Sequence, residues 1–323
     1  MLEMNSRTIR FLSRMGARGV LGQTVYDYVE DGKDLYVMSA DLARASGFDR
    51  VRNKYSDRII NVGIAEQNMI GMAAGLSAAG TPVIATTWAT FASARVADQV
   101  RNFMGFMRAN IKLVGMDSGL AASRFGYTHS NSPDIAIMRA IPGIKVISPC
   151  DGLEIYMLIK MAIEYDGPVY IRLTDKANLP VIYKEPGISF EIGRANRLQE
   201  GKDIAIIACG TIIQNVLEAS AQLKEKGLSV KVIDMHTIVP LDLEALEDAL
   251  GCSMIVTVED HLRVGGLGSA VSEYLVQKKG HPSLLMLGIE NGYLPAGRQS
   301  WAEQICGLDS TSIADRIWEE FHL

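Results

Sequence analysis

Short, uninterrupted apolar runs alternate with longer helix-like stretches along this chain, and that alternation constrains the fold more than any other feature. DLYVMS (34–39), RIINV (58–62), PVIATT (82–87), IKLVGM (111–116), IKVIS (144–148) and PVYIRL (168–173) read as strands. Helix patterns fall over 15–30, 64–79, 89–107, 134–140 and 151–164. Strands without strict inside–outside alternation, separated by helices, predict a mainly parallel sheet covered on both faces. PCDGLE at 149–154 sets Pro and Asp before a helix, and YDGP at 165–168 closes it.

Residues 174–202 break the pattern with two prolines, three glycines and many charges. They read as a surface linker whose middle could pair as a short hairpin. A second α/β unit follows. Its strands are DIAIIACG (203–210), LSVKVIDM (228–235), SMIVTVED (253–260) and SLLMLGI (283–289). Its helices include TIIQNVLEASAQLKEKG, LDLEALEDAL, GLGSAVSEYLVQKKG and STSIADRIWEEF. The expected fold class is α/β, with two three-layer α/β/α domains over 1–184 and 185–323, the second built on a mixed sheet. A length of 323 residues accommodates two cores of ordinary size.

A net charge of −5 without a basic cluster gives no electrostatic case for nucleic acid or an anionic membrane. The opening MLEMNSRTIRFLSRMG is charged throughout, so no secretory leader is expected, and no run approaches the roughly eighteen apolar residues of a spanning helix. Cys150, Cys209, Cys252 and Cys306 are scattered with no C-x-x-C pair, which suits reduced packing thiols and a cytoplasmic setting rather than a disulfide framework or a metal site.

Four features carry candidate chemistry. VEDHLRVGGLGSAV offers Gly266 and Gly268, but Val271 stands where a dinucleotide fingerprint needs its third glycine, so a packing turn is expected. His129 lies in SRFGYTHSNSPD, a polar loop after a strand, where open parallel sheets bind ligands. His236 and His261 also follow strands, with a weaker claim, and His281 and His322 read as solvent-facing. Trp88 and Phe91, three apart, share a helix face that serves either core packing or the stacking of a planar heterocycle. Glu66, in NVGIAEQNMIG, is a single acid in an otherwise uncharged run where a strand gives way to a helix. A buried carboxylate is costly without a partner, so it is neutralised within the protein or something binds to it.

NVGIAEQNM, TTWATFASARVADQVRN, THSNSPDIAIMRAIPGIKVISPCD and YDGPVYIRL, in that order, resemble the transketolase family over nearly the whole chain. The match is to the C-terminal section of a transketolase split into two polypeptides. The same two domains occur in 1-deoxyxylulose-5-phosphate synthase and in the β subunits of 2-oxoacid dehydrogenase E1 components. The resemblance implies that Glu66 holds N1′ of the thiamine diphosphate aminopyrimidine and that Phe91 and Trp88 contact its ring. It implies that Asp41 lies near the cofactor, that His129 meets substrate hydroxyls, and that Arg18 helps hold a terminal phosphate.

The family binds diphosphate and Mg2+ (or Ca2+) through G-D-G and a downstream Asn, which this sequence lacks. A partner polypeptide, the N-terminal section, is therefore implied, as an α2β2 heterotetramer. The substrate loop also departs from the family's G-E-D-G-x-T-H. Arg124 and Phe125 replace the acids, Asp117 aligns with a phosphate-binding histidine, and Asp175 falls near a phosphate-binding arginine. Arg124 or Lys176 would supply cations from a new direction. A less common ketose, or one with a different terminal group, is the implied donor of a two-carbon ketol unit. The other readings are a decarboxylase of the synthase or E1 type and a non-catalytic partner subunit.

Overall fold

The computed structural model describes residues 2–130, 133–174, 178–290 and 292–322. In chain order the first half runs α1 (Ser6–Glu30), β1 (Tyr36–Ser39), α2 (Asp49–Lys54), β2 (Ile59–Asn61), α3 (Glu66–Ala78), β3 (Val83–Trp88), α4 (Ala89–Ser93) and α5 (Ala97–Gln99). It continues through β4 (Ile111–Met116), α6 (Asp134–Arg139), β5 (Lys145–Ile147), α7 (Gly152–Glu164) and β6 (Val169–Arg172). The second half holds β7 (Asn196–Gln199), β8 (Ile204–Cys209), α8 (Ile213–Glu225), β9 (Val230–Asp234), β10 (Thr237–Val239) and α9 (Leu243–Ala249). It ends with β11 (Met254–Leu262), α10 (Leu267–Leu275), β12 (Ser283–Ile289), α11 (Gln299–Ile305) and α12 (Ser310–Phe321).

Two sheets organise these elements. The first has the order β10-β5-β6-β4-β3-β1-β2, parallel except for β10. The second has the order β12-β11-β8-β9-β7, parallel except for β7. Every residue of β4, β6, β8 and β9 is buried. That is why these strands appear in the sequence as continuous apolar runs. In the first sheet the chain leaves β1 outward to β2 and returns inward as β3. The carboxyl ends of β1, β2 and β3 thus flank a topological switch point, where open α/β sheets bind ligands.

Three expectations are corrected. The first helix starts at Ser6 rather than residue 15, because Asn5 caps it, its side chain accepting from the amides of Arg7 and Thr8. Gly16, at φ 69°, kinks it, so only the segment beyond the kink carries the regular pattern. The helix expected over 89–107 is broken: after α4 and α5 the chain passes into a π-helical turn over Val100–Phe106.

The third correction concerns 174–202. Among the described residues no hairpin forms within it; β7 pairs antiparallel with β9 instead. Nor does this stretch lie wholly on the surface, since Leu179, Tyr183 and Phe190 are buried. The Leu179 amide donates to the Ser13 carbonyl at 3.1 Å. The amides of Ile182 and Tyr183 donate to Asp151 Oδ2 at 3.0 and 2.9 Å. Burying three large apolar side chains contributes about 1.5–3 kcal/mol each, enough to fasten the segment across both units. β10 also crosses between them, leaving the second half to edge the first sheet against β5. α7 lies directly on α1: a Cβ at Gly152 would come within 2.8 Å of the Leu12 carbonyl carbon.

Under the strap lies a buried acidic knot. Cys150, Glu154 and Asp234 bring their Sγ and carboxylate oxygens within 4.8 Å of one another. Tyr183 Oη donates to Asp234 Oδ2 at 2.7 Å, and the Cys150 amide donates to Glu154 Oε2 at 2.6 Å. Burial pushes the Glu154 carboxyl well up, Asp234 to about 7 and neighbouring Asp151 to about 6. Burial also pushes the Cys150 thiol well up. The raised carboxyls link the protonation of the knot to folding.

Its effect on stability has a definite sign. A carboxyl raised in the fold binds a proton that the unfolded chain has released. Its contribution is full below about pH 4 and is lost as pH rises through 6–7. His236 and His261, both pushed down to about 4 by burial, act oppositely below their ordinary range. The difference between wild type and Asp234→Asn isolates the knot. The variant should match wild type near pH 4 and exceed it near pH 7.5, the gap growing by up to about 1.4 kcal/mol per pH unit between the unfolded carboxylate pKa and about 7 and levelling off above. Urea midpoints at the two pH values measure this; a gap that does not grow with pH would show that the knot is not proton-linked.

Candidate active site

Glu66 opens α3 just beyond β2, with its side chain 5% exposed. Trp88 ends β3 and Phe91 lies in the next helical turn, both half-buried. The loop after β4 returns His129 to them. Its ring centroid lies 5.4 Å from Trp88, 5.2 Å from Phe91 and 5.3 Å from Phe125. Thr90 Oγ1 donates to the His129 carbonyl at 3.0 Å, tying the loop to α4. Thr128 Oγ1 lies 2.9 Å from His129 Nδ1, so the hydroxyl steadies that nitrogen. The stacking and core-packing readings of Trp88 and Phe91 meet here, since both rings pack on a histidine beside a pocket.

That pocket encloses roughly 540 Å³ and is lined by Phe91, Arg95, Tyr127, Ser130 and Tyr293, among others. Tyr127 and Tyr293 stack at 4.4 Å, joining the His129 loop to the segment after β12. Arg95, in the turn after α4, was not singled out by the sequence. Its Nη1 donates to Glu66 Oε1 at 3.0 Å, and its Cζ lies 3.7 Å from the Phe91 centroid. The signal available was its place four residues after Phe91, on the same helical face. The opening alternative for Glu66 is thus answered in part: its charge is met by a cation from this chain.

Asp41 follows β1 at φ 59° and is exposed. Asn61 holds its loop, with Oδ1 accepting from the Asp41 amide at 3.0 Å and Nδ2 donating to Asp41 Oδ1 at 3.2 Å. Asp41 therefore stands at the mouth of the same strand ends.

Arg18, Asp117 and Arg124 converge separately. Arg18 Nη2 donates to both Asp117 oxygens at 2.8 and 2.9 Å, and Arg124 Nη2 donates to Oδ2 at 3.1 Å. Asp117 is buried at φ 49°, while the side chains of Arg18 and Arg124 are 29% and 50% exposed. The aspartate is turned inward and covered by the two guanidiniums. Two cations over one carboxylate leave a positive excess at the surface. The Asp175 and Lys176 positions lie outside the described residues.

A deeper network supports the His129 loop. Asp134, at the start of α6, accepts from Tyr170 Oη at 2.8 Å and Arg172 Nε at 3.1 Å. Arg172 Nη2 donates to the Asp260 carbonyl, and Asp260 Oδ1 accepts from the Leu120 amide at 2.8 Å. His261 Nε2 lies 3.7 Å from Asp134. His236 and His261 are both buried, unlike His129, and belong to the core between the two units.

The comparisons with known proteins agree with this layout. The transketolase pyrimidine-binding domain matches residues 13–180, and the transketolase C-terminal domain matches residues 193–313. A protein of Methanocaldococcus jannaschii described as a transketolase C-terminal section is 37% identical over 94% of this chain and 96% of its own length. A 6-deoxy-6-sulfo-D-fructose transketolase subunit from Clostridium sp. is 35% identical over 89% of this chain and 88% of its own. A solved structure, a split-gene transketolase described as an inactive β4 tetramer, superimposes with a TM-score of 0.85. It is 31% identical and covers 95% of this chain and 98% of its own. The two-domain fold with its strand-end site defines a subunit of a split α/β transferase. This chain belongs to the transketolase family. No helix among the described residues is long and apolar enough to cross a membrane.

Proposed function

We propose that this chain is the pyrimidine-binding subunit of a thiamine-diphosphate-dependent transketolase that works with a second polypeptide. The enzyme moves a two-carbon ketol unit from a ketose to an aldehyde. The observation that carries this is the pairing of a buried carboxylate, Glu66, with an aromatic face, Phe91, at one set of strand ends. These two groups fit an aminopyrimidine, since they already accept a planar, nitrogen-bearing guanidinium. When bound, the cofactor supplies the carbanion and electron sink of the reaction. Glu66 would hold the proton at the pyrimidine N1′, Phe91 and Trp88 would fix the ring, and Asp41 would border it. His129 would hydrogen-bond substrate hydroxyls. The diphosphate and its Mg2+ would fall to the partner, in an α2β2 assembly. The division at 184/185 is our assignment of the two domains.

The donor would be a ketose with an anionic end. The Arg18–Asp117–Arg124 cluster supplies the cations, with Asp117 positioning both rather than facing the substrate. A sulfonate, as in the sugar named for the Clostridium relative, or a phosphate fits the planar forks. Arg124→Ala should raise KM for an anionic ketose about 5- to 30-fold, equivalent to 1–2 kcal/mol, with kcat nearly unchanged. A ketose without the anion should show no change, and equal losses on both sugars would remove Arg124 from substrate recognition. Capture of a stoichiometric partner with the tagged chain from its native lysate, followed by ketol-transfer assays on the pair, tests the whole reading. A pair that binds no thiamine diphosphate would overturn it, and carbon dioxide release from pyruvate would move the reaction to the decarboxylating relatives.

A further inference from the structure

The two groups assigned to the aminopyrimidine are already engaged by a side chain of this protein. Arg95 lies over a face of Phe91 and also reaches Glu66, with Cζ 3.7 Å from the ring centroid and Nη1 3.0 Å from Glu66 Oε1. A guanidinium and an aminopyrimidine are alike here. Both are planar, both stack on an aromatic face, and both present an in-plane N–H to a carboxylate. The separation of 3.7 Å is van der Waals contact, so no second planar group fits between them. One carboxylate edge and one ring face cannot serve both occupants in this arrangement.

We propose that Arg95 is a displaceable occupant of the pyrimidine site. In the chain without cofactor it neutralises Glu66 and covers Phe91; loading of thiamine diphosphate swings it out. The inference rests on the preceding reading, in which Glu66 and Phe91 hold that cofactor. Two features make the exchange feasible. The Arg95 side chain is 43% exposed, so its outward path lies in solvent. Its backbone is held independently, with Gln67 Nε2 donating to the Arg95 carbonyl at 3.2 Å, so the side chain can move without the turn. Arg95 also gives the buried Glu66 side chain a partner in a chain that has not yet met its cofactor.

A competitor that occupies the site lowers apparent affinity by the fraction of time the site is closed. A site closed nine-tenths of the time gives about a tenfold reduction. The experiment is calorimetric titration of thiamine diphosphate, with Mg2+ present, into the reconstituted two-chain assembly. Wild type, Arg95→Ala and Arg95→Gln are compared, beside melting of each isolated chain. The expected result is a Kd lowered about five- to twentyfold in both variants. The isolated Arg95→Ala chain should melt lower than wild type, and adding Glu66→Gln should restore its melting temperature. If Arg95→Ala assembles poorly, Arg95→Gln keeps a planar group of lower charge and carries the test. An unchanged or weaker Kd in the variants, with wild type binding normally, would overturn the displacement model alone. A wild-type assembly that binds no thiamine diphosphate would overturn this inference together with the functional reading beneath it.

Discussion

Glu66→Gln in the reconstituted enzyme should lower kcat by about a thousandfold, with the assembly and its thermal stability intact. The substitution keeps the size of the side chain and an oxygen that can accept from Arg95 Nη1. What it removes is the ability to hold a proton at the pyrimidine nitrogen. Positioned acid–base groups contribute roughly 10²–10⁴-fold to turnover. The upper part of that range applies where the carboxylate is desolvated, as the 5% exposure of Glu66 requires. Stability is expected to hold because an amide needs no counter-charge in an apolar setting, whereas a carboxylate does. Glu66→Ala should lose as much activity but also leave Arg95 Nη1 without an acceptor there. Melting curves with turnover on the same samples separate the two effects. Retention of more than a third of wild-type turnover by Glu66→Gln would remove Glu66 from cofactor activation.

What the sequence made legible follows from how far apart the cooperating residues lie. β4 and β8 could be read directly, because a strand covered on both faces is a continuous apolar run. β10 could not, since three residues carry no usable pattern and their partner β5 lies about ninety residues away. The strap was misread for a related reason. Leu179, Tyr183 and Phe190 are buried at irregular spacing among charges and prolines, so neither helical nor strand periodicity marks them. At the site, strand-end context and the family resemblance pointed to Glu66, Trp88, Phe91 and His129, which the fold brings to neighbouring strand ends. The pairing of Glu66 with Arg95, and of Asp117 with Arg18, joins residues 29 and 99 positions apart. Such ion pairs leave no local signature. Asp117 aligns with a phosphate-binding histidine of the family, but the fold turns the aspartate inward and sets two arginines over it.

The network behind the His129 loop should give the largest loss of stability. Asp134→Ala is expected to destabilise the chain by about 3–5 kcal/mol, the cost of leaving a buried charge without its partner. The charge is that of Arg172, fully buried in β6, whose Nε donates to Asp134 Oδ2 at 3.1 Å. After the substitution the guanidinium keeps its bond to the Asp260 carbonyl and the favourable field of the Asp260 side chain, but loses its directly bonded carboxylate. Tyr170 Oη loses its acceptor in the same step. His261 adds no second cation to the site, because burial holds it down at about 4 and so neutral near pH 7. The effect belongs to the broken pair rather than to the loss of side-chain volume. Replacing both partners by apolar residues, as Asp134→Leu with Arg172→Met, should therefore recover much of the stability. Activity should not recover with it. Asp134 begins α6 five residues after His129, and its bond to Arg172 ties that end of α6 to β6. Urea unfolding of the isolated chains and ketol transfer by the assembled ones provide the two readouts. A loss below about 1 kcal/mol in Asp134→Ala would mean that Arg172 is compensated elsewhere, and the Asp134–Arg172 pair would lose its place as the anchor of the active-site loop.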